Sequence, residues 1–175
     1  MDSPEKVQSV SKSKHRVKIM VWGDMSSMSL TKLIIFQENE TLNKDKYIRK
    51  VLIPIVKDIK ARKVETNDLT TTKLFKNLNK WKWQQDGATA HTANNVQKWL
   101  KNNIQDFVSK KEWPGNSPDM NPIENLWSIM EAKVYENGHF DSFEELILKI
   151  KDVWNNISVE TLQKLSRSMK NVSSL

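Results

Sequence analysis

The chain has 175 residues, seven tryptophans, no cysteine and a formal net charge of +7. That length suits one domain with its own core, and the lack of cysteine excludes both a disulfide framework and a thiolate-bound metal. No apolar run approaches the ~18 residues of a membrane span, and the polar opening MDSPEKVQSVSKSKHR is not a secretory signal. Residues 1–16 read as a polar tail. Residues 17–22 (VKIMVW) alternate and predict a strand ending at Gly23, and residues 31–36 (TKLIIF) predict a second. The short polar link between them suits an antiparallel hairpin.

A helix is predicted over 44–63. Tyr47, Ile48, Val51, Leu52, Ile55, Val56 and Ile59 fall on one face, and Pro54 should kink or divide it. Residues 64–79 read as a loop. A third strand follows over 80–85, ending at the turn signal Asp86-Gly87. A helix over 92–103 turns Val96, Trp99 and Leu100 inward, and 105–109 is a short fourth strand. Residues 114–121 form a loop rich in Pro, Asn and Asp. Helices are predicted over 122–136, 143–156 and 159–171, with Ser142 and Ser158 as N-caps of the last two. Hairpin, helix, strand, helix, strand and then helices is an α/β order with a mixed sheet.

Two carboxylates stand out. Asp86 leaves the carboxyl end of a predicted strand, where ligand sites of open α/β sheets gather. Glu124 is the third residue of a helix opened by Asn121 and Pro122. Hard oxygen donors of this kind suit Mg²⁺ or Mn²⁺, ions that serve phosphodiester chemistry. Each residue also has a plain structural reading: an Asp-Gly turn for Asp86 and a capping box for Glu124. His91 either lines the same site or caps the next helix. Asp119 reads as turn architecture in a proline-bounded loop. Ile123 and Trp127 read as core. Residues 44–63 hold eight Lys or Arg against two Asp, so Lys46, Arg49, Lys50, Lys57 and Lys60 are candidate phosphate contacts on DNA.

Four ordered motifs resemble the DDE catalytic domain of the Tc/mariner superfamily of transposases. Residues 19–23 (IMVWG) resemble the family's VMVWG strand, and 43–51 (NKDKYIRKV) its N-x-x-x-Y-I-x-x-V helix start. Residues 84–91 (QQDGATAH) resemble QQDNAPxH around the second catalytic Asp. Residues 113–127 (WPGNSPDMNPIENLW) resemble WPxxSPDLNPIENLW around the third acid. The interval of 37 residues between Asp86 and Glu124 lies in the range the family's subgroups show.

The resemblance implies a ribonuclease H-like fold for 17–175, with Asp86 and Glu124 as second and third catalytic, metal-binding carboxylates and His91 and Asp119 lining their site. It implies two Mg²⁺ or Mn²⁺ ions, cleavage and strand transfer on transposon ends and target DNA, no membrane partner, a nuclear location and a possible homo-oligomer. The chain departs from the family in one respect above all. The first catalytic Asp belongs to an SDE-like motif on a strand before IMVWG, and here only the polar tail occupies that place. Asp24, just past Trp22-Gly23, is a poor substitute because it follows the wrong strand. The expectation is a partial catalytic domain without the first, central strand, inactive alone. The alternative is a non-catalytic DNA-binding or protein-interaction remnant.

Overall fold

The computed structural model describes residues 18–64, 81–113 and 120–168. The expected tail over 1–16 and the expected loop over 64–79, apart from its first residue, which ends a helix, lie outside the described residues. The hairpin forms as the alternation requires, but its paired core is short. β1 (Val21–Trp22) and β2 (Ile34–Ile35) run antiparallel with Val21 opposite Ile35 and Trp22 opposite Ile34. The Phe36 N–H donates to the Met20 carbonyl at 3.0 Å, and a bridge between Met25 and Leu30 carries the pairing toward the turn.

Strand alternation gives this ribbon two working faces. Trp22, Ile34 and Phe36 pack into one apolar cluster with Tyr47, Val51, Leu52, Ile55, Val96 and Leu100. Ile19, Val21 and Leu33 pack into a second with Leu126, Met130, Leu146, Ile150, Trp154 and Leu162. Helices therefore cover both sides of the hairpin.

The helix expected over 44–63 forms as three continuous pieces: α1 (Lys44–Lys46), a π-helical turn (Tyr47–Leu52) and α2 (Ile53–Val64). Asn43 caps it, its side chain accepting from the N–H groups of Asp45 and Lys46. The irregularity falls just before Pro54 rather than as a break at it. Proline brings no N–H, and its ring crowds the carbonyl four residues earlier. A widened turn, in which the Ile53 N–H reaches the Ile48 carbonyl, accommodates both.

The third and fourth predicted strands shrink to one parallel bridge. Trp83 donates its N–H to the Asp106 carbonyl at 2.9 Å and accepts from the Val108 N–H at 2.8 Å, opposite Phe107. Among the described residues no backbone ladder joins this pair to the hairpin. The Trp22 and Trp83 rings stack instead, 6.3 Å apart and 13° from parallel.

The helix expected over 92–103 divides at Ala93, whose extended ψ of 139° separates α3 (Thr89–Thr92) from α4 (Asn94–Asn103). α5 (Pro122–Val134), α6 (Phe143–Asn155) and α7 (Val159–Ser168) follow the predicted order. Ser142 and Ser158 both cap as expected, accepting from the N–H groups of Glu145 and Thr161. None of the described helices is long and apolar enough to cross a membrane.

The hairpin meets α6 at Gly23. The Trp154 indole donates to the Thr31 carbonyl at 3.0 Å and lies close against Gly23, where a Cβ would fall 2.7 Å from Cζ2 and closer still to Cη2. Glycine is needed here for space. Gly23→Ala should therefore lower stability by about 1–3 kcal/mol, the usual cost of overpacking, visible as a reduced midpoint in urea denaturation at unchanged slope.

Candidate active site

Asp86 and Glu124 come from opposite sides of the hairpin and line one cavity of about 420 Å³. Two features bring them together. Asp86 leaves the Trp83 bridge at its carboxyl end, and the side-chain amide of the preceding Gln84 donates to the Met120 carbonyl at 3.2 Å. Met120 lies just ahead of α5, so this bond draws the strand end to the start of the helix that carries Glu124.

The capping-box reading of Glu124 does not hold. Asn121 is buried, and its side chain makes no cap bond; only its carbonyl accepts the Glu124 N–H, at 3.0 Å. Pro122 occupies the first turn as expected. Among the described residues no hydrogen bond holds the Glu124 carboxylate. Ile123 and Trp127 pack against the second cluster, Trp127 stacking on Trp154 at 5.4 Å, and both also line the cavity.

Asp86 is held firmly on one side. Its Oδ1 accepts from the Ala88 N–H at 2.9 Å and lies 2.5 Å from His91 Nδ1. The bond with His91, helped by that of Ala88, keeps its carboxyl below the ordinary aspartate range despite partial burial. Glu124 moves the opposite way: burial raises its proton affinity, and the nearby charge of Asp86 raises it further. One carboxylate is thus fixed and ionised while its neighbour resists becoming a second negative charge.

Behind this pair lies a buried network that the motifs did not announce. The Tyr47 hydroxyl donates to Gln85 Oε1 at 3.0 Å, and the Trp83 indole N–H donates to the same oxygen at 3.2 Å. Gln85 Nε2 donates to the His91 carbonyl at 2.8 Å, and the Tyr47 ring lies 4.3 Å from the imidazole. One signal was available. Gln85 follows Trp83 by two residues, so it shares the inward face, and a polar side chain there needs partners.

Asp24 also lines the cavity. Its carboxyl is withdrawn from water although the residue keeps some exposed surface, and burial pushes its pKa up to about 7, against the lowering effect of the Met25 N–H on Oδ1. Among the described residues, however, no three acids or histidines are grouped closely enough to hold a metal ion. Asp24 therefore shares the space without completing a cation site. Asp119, the other expected lining residue, lies outside the described residues. Of the candidate phosphate contacts, Lys46 and Lys50 both pair with Glu40, at 3.4 and 2.6 Å, while Arg49, Lys57 and Lys60 stand exposed.

A profile described as DDE superfamily endonuclease matches residues 2–147. The chain belongs to this family. Among relatives, the Tc3 transposase of Caenorhabditis elegans is 37% identical over 91 residues, which is 51% of this chain and 27% of that protein. The Tcb1 transposase of Caenorhabditis briggsae is 30% identical over 89 residues, 51% of this chain and 31% of that protein. These matches thus span less than a third of each relative's length.

Among solved structures, the Mos1 transposase catalytic domain with raltegravir and manganese superposes with a TM-score of 0.69 at 17% identity, covering 90% of this chain and 73% of that one. The Mos1 mariner paired-end complex with manganese gives 0.69 at 19% identity, covering 99% and 49%. Likeness at such identity speaks for the fold, which is ribonuclease H-like: a mixed α/β arrangement with a small sheet. The two carboxylates fit the donor chemistry of Mg²⁺ or Mn²⁺, since both offer hard oxygens to one cavity and the second is starved of a counter-charge.

The raised proton affinities carry a sign. A carboxyl whose pKa is higher in the fold gives its full stability below the ordinary value and loses it as pH rises through the raised one. For Asp24 that window runs from 3.8 to about 7. Asp24→Asn, which keeps an acceptor for the Met25 N–H, should match wild type near pH 3.5 and melt higher at pH 8. Discounted for residual exposure, the gain is of the order of 1 kcal/mol, or about 2–4 °C by differential scanning calorimetry.

Proposed function

We propose that this chain supplies part of the catalytic domain of a DNA transposase, whose reaction is metal-dependent phosphodiester cleavage followed by strand transfer. The observation that carries the reading is the meeting of Asp86 and Glu124 at one cavity, close enough that the charge of one raises the proton affinity of the other. In this reading both are catalytic metal ligands, with His91 behind Asp86. Bound Mg²⁺ or Mn²⁺ supplies Lewis acidity at the scissile phosphate and lowers the pKa of the attacking water or 3′-hydroxyl. The chain's own contribution is placement. Asp86 is anchored through one oxygen and Glu124 is fixed on a rigid helix start, with Trp22, Trp83 and Trp127 among the walls of the cavity they share.

With two acids in place of three, the 175-residue polypeptide is inactive alone in this reading. Its partners are transposon ends and target DNA, its place of action is the nucleus, and a homo-oligomer is the working form of the parent enzyme. Purified protein should give no Mg²⁺- or Mn²⁺-dependent nicking of supercoiled plasmid. Robust nicking that Glu124→Gln abolishes would overturn the claim of inactivity.

A second reading, a DNA-binding remnant, is favoured by one observation: Arg49, Lys57 and Lys60 stand exposed on the helix that buries Tyr47, Val51 and Ile55 on its other face. Three phosphate contacts give a log K against log salt slope of about −3. Replacing all three residues by alanine should flatten it by that amount in fluorescence anisotropy, with little dependence on DNA sequence. A flat response in the wild type would remove this reading.

A further inference from the structure

The network behind Asp86 is more elaborate than a stable turn requires. Gln85 is buried, and its amide is satisfied at both ends. Oε1 accepts from Tyr47 and from Trp83, whose indole can only donate, so the orientation of the amide is fixed. Nε2 then faces the His91 carbonyl, which also accepts from Gln97 Nε2 at 3.0 Å. The backbone of His91 is therefore pinned by two amides, and its ring lies against the buried Tyr47, at the start of the π-helical turn.

The consequence falls on Asp86. An ionised carboxylate only accepts, so His91 Nδ1 must carry the proton in the 2.5 Å contact. Together with the Ala88 N–H this commits Oδ1 to the protein. Among the described residues no hydrogen bond reaches Oδ2. Asp86 precedes a glycine, in a turn that would otherwise leave its carboxylate free to change rotamer.

We propose that Tyr47, Gln85 and His91 are positioning residues that set the Asp86 carboxylate, reserving Oδ1 for the protein and presenting Oδ2 alone to a divalent cation. The inference rests on the reading of Asp86 as a metal ligand. A ligating oxygen delivered in one orientation spares the cation the cost of ordering it, and loss of such supporting partners typically weakens metal binding 10–100-fold.

The test uses the whole chain and Mn²⁺ itself, with affinity read by electron paramagnetic resonance. His91→Phe keeps a ring against Tyr47 but removes the donor, and should weaken Mn²⁺ binding about tenfold. His91→Asn restores an N–H within reach of Asp86 and should recover most of the loss. Tyr47→Phe should weaken binding severalfold while leaving the thermal midpoint within a few degrees.

A second readout needs no metal. ¹⁵N NMR at pH 8 should find His91 protonated at Nδ1 in the wild type and shifted toward Nε2 in Asp86→Ala. Wild-type binding in His91→Phe, alongside lost binding in Asp86→Ala, overturns the positioning role and leaves the ligand reading standing. Unchanged binding in Asp86→Ala, or none in the wild type, overturns the ligand reading and the inference with it. An imidazole protonated only at Nε2 in the wild type overturns the inference whatever the variants do, including the case in which His91→Phe fails to fold.

Discussion

Everything at the candidate site depends on a short hairpin that is apolar on both faces. Ile19, Val21 and Leu33 turn to one helical layer while Trp22, Ile34 and Phe36 turn to the other. Asp86 is set by residues that pack into the first layer, and Glu124 stands on a helix of the second. Neither layer holds both acids, so their meeting depends on the ribbon between them. The close contact of Trp154 with Gly23 therefore matters beyond local packing: it fixes how closely the second layer approaches the ribbon.

Much of this was legible in the sequence because it rests on periodic burial. The inward face of the first long helix, the two-strand antiparallel pairing and the order of the last three helices all follow from spacing. The two serine caps follow from local hydrogen-bonding chemistry. What escaped is set by tertiary context. A glutamate three residues past Asn121 has the form of a capping box, yet Asn121 is buried and its side chain leaves the helix end alone. Pro54 announced a disturbance without giving its form; a widened turn upstream resolves it with the chain unbroken. The third and fourth strands contracted to a single parallel bridge. The role of Gln85 was hidden because a glutamine inside a motif reads as part of a signature rather than as a buried node.

The electrostatics separate the site from the rest of the surface. Elsewhere, acids such as Glu40 and Glu136 lie low because lysines answer them. Around the cavity Asp24 and Glu124 are pushed the other way, by burial without a cation. A fold that keeps acids where their charge is unwelcome gives up stability there, as sites adapted for chemistry often do. The family and the fold are secure on independent grounds, the profile match and the superposition; the charge pattern explains why this cavity, among several on the molecule, is the one to test.

The π-helical turn at 47–52 has a consequence for how this region tolerates change. Such a turn amounts to one residue inserted into an α-helix. Deleting a single residue there would restore regular winding and relieve a local irregularity, yet it would rotate everything upstream by about 100° against the inward row of α2. Tyr47 would then turn off Gln85 while the helix itself became more regular. A change of length at this point would therefore reach the network behind Asp86, whereas a substitution on the exposed face of the same helix would not.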